Sequence, residues 1–246
     1  MSLPVPPASL SAAGRKVIFA LDVPSLPEAR RFVRLLKGRV EWFKVGLELF
    51  TAWGKEAVRS VREEGGRVFL DLKFHDIPNT VAGAAEEAVK MGVEMFNLHA
   101  TGGREMMRRA AERCRRVAGE LGRQPPLLLA VTVLTSLAEE DLSQVGLAGP
   151  LPERVLDLAR LAREAGLDGV VSSPREILPL RRNCGSGFLI VTPGIRPPGA
   201  LEDDQKRVMT AREAFAAGAD YVVVGRPVRL APDPAAAMDR ILEEIG

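Results

Sequence analysis

The feature that most restricts this chain is an alternation carried along its whole length. Short β-prone apolar runs recur at KVIFALD (16–22), VEWFKVG (40–46), RVFLDLK (67–73), VEMFNLH (93–99), LLLAVTV (127–133), GVVSS (169–173), FLIVTPG (188–194) and YVVVGRP (221–227). Between them lie stretches with helical amphipathic spacing, among them LPEARRFVRLLKG (26–38), TAWGKEAVRSVREEG (51–65), TVAGAAEEAVKMG (80–92) and PERVLDLARLAREAG (152–166). Several end in Gly shortly before the next run, as a helix C-cap does. Strand and helix in alternation call for parallel β-α units. Eight units fit in 246 residues, with no internal linker and no Gly-rich dinucleotide fingerprint after the first. The prediction is an α/β chain folded as a single (β/α)8 TIM barrel over residues 15–246, with residues 1–14 as a lead-in segment.

Composition narrows the function classes. A formal net charge of +2 implies no partner class, and 46% apolar content is that of an ordinary globular chain. No apolar run approaches the ~18 residues of a membrane span. The opening MSLPVPPASLSAAGRK has neither the basic nor the apolar region of a signal peptide. Cys114 and Cys184 form neither a metal spacing nor a disulfide framework. The expectation is a soluble, cytoplasmic protein that keeps its thiols reduced and works without membrane or nucleic acid.

A barrel of this type carries its chemistry at the C-terminal ends of the strands. The polar residues there are Asp22, Lys44, Asp71, Lys73, Asn97, His99, Thr132, Thr135, Ser172 and Thr192 with Pro193, and Gly225 and Arg226 end the last strand. Asp71 and Lys73 share strand parity, so both can point into the mouth while Leu72 packs outward. A salt bridge capping a strand end would explain the pair equally well on geometry alone. Lysine usage favours catalysis: only seven of the 34 basic residues are lysine, yet Lys44 and Lys73 both stand at this mouth. Arginine keeps its proton, whereas lysine can deliver one.

FLIVTPGIRPPGALEDDQKR (188–207) leaves a strand into a long Gly/Pro-rich loop, the pattern of a lid or binding loop. Loops after strands seven and eight commonly make the phosphate site of such barrels. Arg226 suits a phosphate fork and Gly225 allows close backbone approach, although an ordinary turn would also fit. The Arg-rich stretch 104–123 reads as a solvated helix face rather than a nucleic-acid surface. His75 and His99 lack a metal-ligand spacing; His99 reads as a satisfied strand-end residue, and His75 has no assigned role.

From about Val17 onward the chain resembles the orotidine 5′-monophosphate decarboxylase family. The resemblance rests on ALDVPS (20–25), FKVGLELF (43–50), DLKFHDIPNT (71–80), VTVLTS (131–136), VTPGIRP (191–197) and VVVGRP (222–227), in family order. One departure is Ala211, where the family commonly has Pro after the Thr. The resemblance implies decarboxylation of orotidine 5′-monophosphate to UMP, with Lys73, Asp71, Lys44 and Asp76 as the catalytic set and Lys73 as proton donor. Asp22 and Lys44 would hold ribose hydroxyls. Asp76 and Thr80 would reach the site of a neighbouring subunit in a homodimer. Thr135 and Ser136 would contact the pyrimidine, with Pro193 also at the substrate. Arg196, Gln205, Gly225 and Arg226 would take the phosphate as the loop closes.

No metal cluster or cofactor motif is visible, so the expectation is cofactor-free, metal-free catalysis in which the protein itself stabilises charge. Flanking lysines should depress the Asp71 pKa, and flanking aspartates should raise that of Lys73. Related sugar-phosphate enzymes with a D-x-K-x-x-D motif hold Mg²⁺ partly through an acid where this chain has Lys44. A non-catalytic phosphate sensor would gain nothing from burying the row of four charges that the resemblance implies, Lys44, Asp71, Lys73 and Asp76.

Overall fold

The computed structural model describes residues 10–196 and 209–246. Eight parallel strands close into a barrel in sequence order: β1 (Val17–Ala20), β2 (Trp42–Gly46), β3 (Arg67–Phe74), β4 (Met95–His99), β5 (Leu127–Val131), β6 (Gly169–Val171), β7 (Leu189–Thr192) and β8 (Tyr221–Val224). Seven of the eight predicted runs contain one strand each, and β3 runs one residue past its own, to Phe74. Alternation with period two gives each strand two apolar faces. Outward residues such as Phe19, Phe43, Leu70, Phe96 and Val224 join the large core beneath the helices. Inward residues Ile18, Ala20, Trp42, Phe69, Met95, Leu129, Val191 and Val223 fill the barrel itself. A strand buried on both faces reads as a continuous apolar run, which is why these segments stood out.

The helices form where apolar spacing and capping agree. Helix Leu26–Leu36 starts at Ser25, whose hydroxyl accepts from Glu28 N, and buries Ala29, Phe32, Val33 and Leu36. Helix Pro78–Met91 ends at Gly92 in the left-handed conformation, φ 74°. Helix Ala211–Ala217 is held by a reciprocal capping box between Thr210 and Glu213. With those orphan amides satisfied and Ala211 buried, the helix starts cleanly without the family's Pro.

One helix differs from expectation. Residues 51–65 do not form a single helix: Leu47–Trp53 and Lys55–Glu63 are separated at Gly54, whose φ of 54° and ψ of −138° no helix can accommodate. Most of the Arg-rich stretch is one helix, Gly103–Glu120, and several of its arginines are paired with acids: Arg108 with Glu105 and Glu112, Arg113 with Glu86, Arg116 with Glu120. Cys114 and Cys184 are free and buried. No helix among the described residues is long and apolar enough to cross a membrane.

Candidate functional site

The inward face of the barrel changes chemistry as the strands run toward their C-terminal ends. Two residues after buried Ala20 comes Asp22; after Trp42, Lys44; after Phe69, Asp71 and then Lys73; after Met95, Asn97. Because all strands are parallel, these groups meet at one mouth. There Lys44 Nζ lies 3.1 Å from Asp22 Oδ1 and 3.3 Å from Asp71 Oδ2, and Lys73 Nζ lies 2.6 Å from Asp71 Oδ1. The row in one chain is therefore Asp22–Lys44–Asp71–Lys73, with alternating sign.

Its centre is largely withdrawn from water, the side chains of Lys44 and Asp71 being 12% and 13% exposed. Burial alone would raise the Asp71 carboxyl, but the ammonium groups of Lys44 and Lys73 and hydrogen bonds from Lys73 and Asn97 hold it down at about 2. Burial likewise works against the Lys44 ammonium, and the carboxylates of Asp71 and Asp22 overcome it, raising its pKa above the ordinary lysine value. Asp71 is thus an anion and Lys44 a cation at neutral pH. Gly46 makes room for them: a Cβ there would lie 2.9 Å from Lys44 Nζ.

Parity at Asp71 and Lys73 holds as expected, with Leu72 and Phe74 packed outward against the helices. The backbone that achieves it is irregular. Leu70 pairs with Phe96 and Phe74 with Leu98, so β3 gains residues over β4 in between. Lys73 sits in this bulge with φ 53°, alone among described non-glycine residues in having a positive φ. Its N–H donates to Asn97 Oδ1 at 2.8 Å, and Asn97 Nδ2 donates to Asp71 Oδ1 at 2.7 Å.

A cavity of about 200 Å³ opens over the row. Asp22, Lys44, Asp71, Lys73, Thr135, Pro193, Arg196, Gly225 and Arg226 line it, together with apolar Val131, Val133, Leu134 and Val171. Arg196 is brought to this rim by a bridge between Ile195 and Met209, with Arg196 N donating to Met209 O at 3.0 Å. A larger hollow of about 760 Å³ lies at the opposite end of the barrel, lined by residues such as Arg59, Arg62, Arg67 and Glu94. Size does not choose between the two. The smaller cavity carries the perturbed, partly buried charges that mark a reactive site.

Other expected residues fall elsewhere. Ser136 is exposed and does not line the cavity. Asp76 and Thr80 are exposed on the rim, and Asp76 Oδ1 accepts from Ile77 N at 2.6 Å. Gln205 lies outside the described residues, as does most of the 194–207 loop. Thr132, Ser172 and Thr192, read as mouth residues, are buried at 2%, 1% and 0% exposure. They have the outward parity, and Ser172 Oγ bonds Glu176 instead. Nearness to a strand end could not decide facing; parity does. His99 faces inward and packs against His75, ring centroids 5.5 Å apart. Burial, then His75 and Lys73, lower its pKa against the opposing pull of Asp71. Asn97 stood among the strand-end polar groups without a role, and only its inward parity with Met95 could have singled it out.

Known proteins are similar to this one over most of its length. A profile of the orotidine 5′-phosphate decarboxylase / HUMPS family matches residues 15–241. The chain is 57% identical over 233 residues to orotidine 5′-phosphate decarboxylase of Pelobacter propionicus, covering 95% of this chain and 96% of that protein. To the Moorella thermoacetica protein of the same name it is 56% identical, covering 94% and 92%. Among solved structures, the Lactobacillus acidophilus orotidine 5′-phosphate decarboxylase superposes with a TM-score of 0.82 at 38% identity, covering 94% of this chain and 99% of that one. The Pyrococcus horikoshii enzyme gives 0.74 at 26% identity, covering 93% and 98%. Sequence, fold and inward-facing charges lead to one conclusion: the chain belongs to the orotidine 5′-phosphate decarboxylase / HUMPS family.

Proposed function

We propose that this protein decarboxylates orotidine 5′-monophosphate to UMP and CO₂, the last step of de novo pyrimidine synthesis, as a carbon–carbon lyase. The observation that carries the reading is the alternating row Asp22–Lys44–Asp71–Lys73 at the barrel mouth. Breaking the bond from C6 to the carboxylate leaves an electron pair at C6 that ring carbonyls cannot delocalise as an enolate. A cation placed beforehand where that charge develops stabilises it without reorganisation. The Lys73 ammonium is that cation, and it then gives its proton to C6. Asp71, its carboxyl held down at about 2, is a carboxylate at neutral pH but a weak base; it holds Lys73 and faces the departing carboxylate. Asp22 and Lys44 hold the ribose, Thr135 the pyrimidine, and Pro193 stands beside it; Ser136, outside the cavity lining, would reach the pyrimidine only if its loop moved inward. Arg196, Gln205, Gly225 and Arg226 take the phosphate.

The catalytic unit is residues 15–246, acting as a cytoplasmic homodimer in which Asp76 and Thr80 serve the partner's site. Two features favour that arrangement. Among the described residues, Asp71 supplies the one carboxylate within 4 Å of Lys73 Nζ, while Asp76 stands exposed on the same rim. Ile77 beside it is 67% exposed and Leu47, after the neighbouring strand, 57%. A rival reading is a sugar-phosphate enzyme of similar motif that holds Mg²⁺. Here the Lys44 ammonium already lies between the Asp22 and Asp71 carboxylates, in the place a metal ion would need.

The test is spectrophotometric turnover of orotidine 5′-monophosphate by the purified chain in excess EDTA. Full activity is expected. Activity lost to EDTA and restored by Mg²⁺ would transfer the chain to the metal-dependent branch, and tight UMP binding without turnover would make it a sensor.

A further inference from the structure

We infer that Asn97 is a positioning residue for the proton donor: its amide holds Lys73 in its left-handed backbone conformation and keeps the Asp71 carboxylate beside the ammonium. The inference rests on the role given to Lys73 above and deepens it.

The geometry is specific to an amide. At the β3 bulge the strand ladder is interrupted between Leu70 and Phe74, so Lys73 N–H needs another acceptor. Asn97 Oδ1 provides it at 2.8 Å. On its other side, Asn97 Nδ2 donates at 2.7 Å to Asp71 Oδ1, the same oxygen that lies 2.6 Å from Lys73 Nζ. A backbone N–H can only donate, and an ionised carboxylate can only accept. A neutral side chain facing both must therefore accept on one arm and donate on the other. Asn97 is 1% exposed, so water is poorly placed to substitute. A non-glycine residue at φ 53° is strained and persists only where its surroundings over-determine it. The hydrogen bond that Lys73 N–H donates to Asn97 Oδ1 is the contact that pins this peptide from outside its own strand. Bulges re-aim side chains at strand ends, and the side chain aimed here is the acid of the reaction.

The experiment compares wild type, Asn97→Ala and Asn97→Asp. Asn97→Ala should lower kcat for orotidine 5′-monophosphate about 10²-fold, the effect of misplacing a reacting group by about 1 Å. KM and the UMP dissociation constant should stay within about threefold, since the phosphate and ribose contacts remain. In Asn97→Asp the new carboxyl faces Asp71 and Lys73 of β3, with Lys44 of β2 behind Asp71 and His99 two residues further on β4. When protonated it regains an acceptor and a donor, so its kcat relative to wild type should recover as pH falls from about 8 to about 5.5, with the ratio for Asn97→Ala staying flat. The ratio removes titrations, such as that of His99, common to both proteins. Should Asn97→Ala fail to fold, Asn97→Ser takes its place. Crystal structures supply a readout independent of turnover: in the variant, Lys73 should leave positive φ or its ammonium should part from Asp71. A variant kcat within about threefold of wild type, a parallel loss of UMP affinity, or an unmoved Lys73 overturns the inference. If wild type itself is inactive, the functional reading fails, and the structures still decide whether Asn97 holds Lys73.

Discussion

At the scale of single residues, the site is a problem of keeping like charges apart and opposite charges together in a place poor in water. Asp71 is stable there because Lys44, Lys73 and Asn97 surround it. Removing Lys73 leaves two of those partners, so Lys73→Ala should fold with near-native thermal stability; the alanine Cβ keeps the same backbone strain at φ 53°. Turnover should fall by at least ~10²–10⁴-fold, because proton donor and charge stabiliser go together. Activity within tenfold of wild type would remove Lys73 from its role. Asp22, Lys44, Asp71 and Lys73 were legible in the sequence, since strand parity and local motifs both depend on neighbours along the chain. Asn97 was not, because its two partners lie 24 and 26 residues earlier and a bulge creates the need for it.

At the scale of elements, glycine decides where helices stop. Gly92 closes helix Pro78–Met91 at φ 74°, and a Cβ there would approach the Arg62 guanidinium to 2.6 Å. The guanidinium is the far end of a flexible side chain and can move, so backbone strain dominates. Gly92→Ala should cost about 1–2 kcal/mol of unfolding free energy in urea titration, with kcat unchanged because the cap lies away from the mouth. A loss below about 0.3 kcal/mol would show that another residue terminates the helix. Gly54 shows where element-level reading failed. Amphipathic spacing runs on through it, so the sequence reads as one helix, and only the realised φ of 54° shows the break. The bulge in β3 escaped notice for a similar reason: DLKF alternates as a regular strand does, and the extra residues exist only relative to β4.

At the scale of the whole molecule, acid and assembly provide the tests. The Asp71 pKa is depressed from 3.8 to about 2 in the folded state. A depressed carboxyl contributes stability that is present above its unfolded pKa and lost as pH falls through the folded one. Glu64, paired with Arg34 and Arg30, and Glu86, paired with Lys90 and Arg113, are also held at about 2. The melting temperature should therefore fall between about pH 4 and pH 2. Lys44→Ala, which removes one cation from Asp71, should begin to lose stability at higher pH; coincident profiles for variant and wild type would deny that coupling. Assembly is tested by mixing inactive Lys73→Ala and Asp76→Ala proteins. If Asp76 serves the partner's site, a hybrid dimer gathers both lesions in one site and leaves the other intact. Random exchange then restores roughly a quarter of wild-type activity. Exchange proven by mass spectrometry without recovery would place Asp76 in its own chain's site.

The sequence by itself determined the eight-unit barrel, the end that bears the chemistry, and the residues of the charged row. The barrel and its reactive end follow from periodicities and spacings, and the charged row from those together with the family resemblance; none needs knowledge of distant contacts. Tertiary structure alone decided what the inward-facing Asn97 bonds: the β3 bulge leaves Lys73 N–H without a ladder partner and sets both Lys73 and Asp71 against its amide. It also set the burial against which the expected depression of the Asp71 pKa had to hold, through cations carried on two different strands. The physical reason is the same in each case. Hydrogen-bond partners across strands are set by ladder register and burial by neighbours across the barrel, and both depend on residues brought together only when the sheet closes.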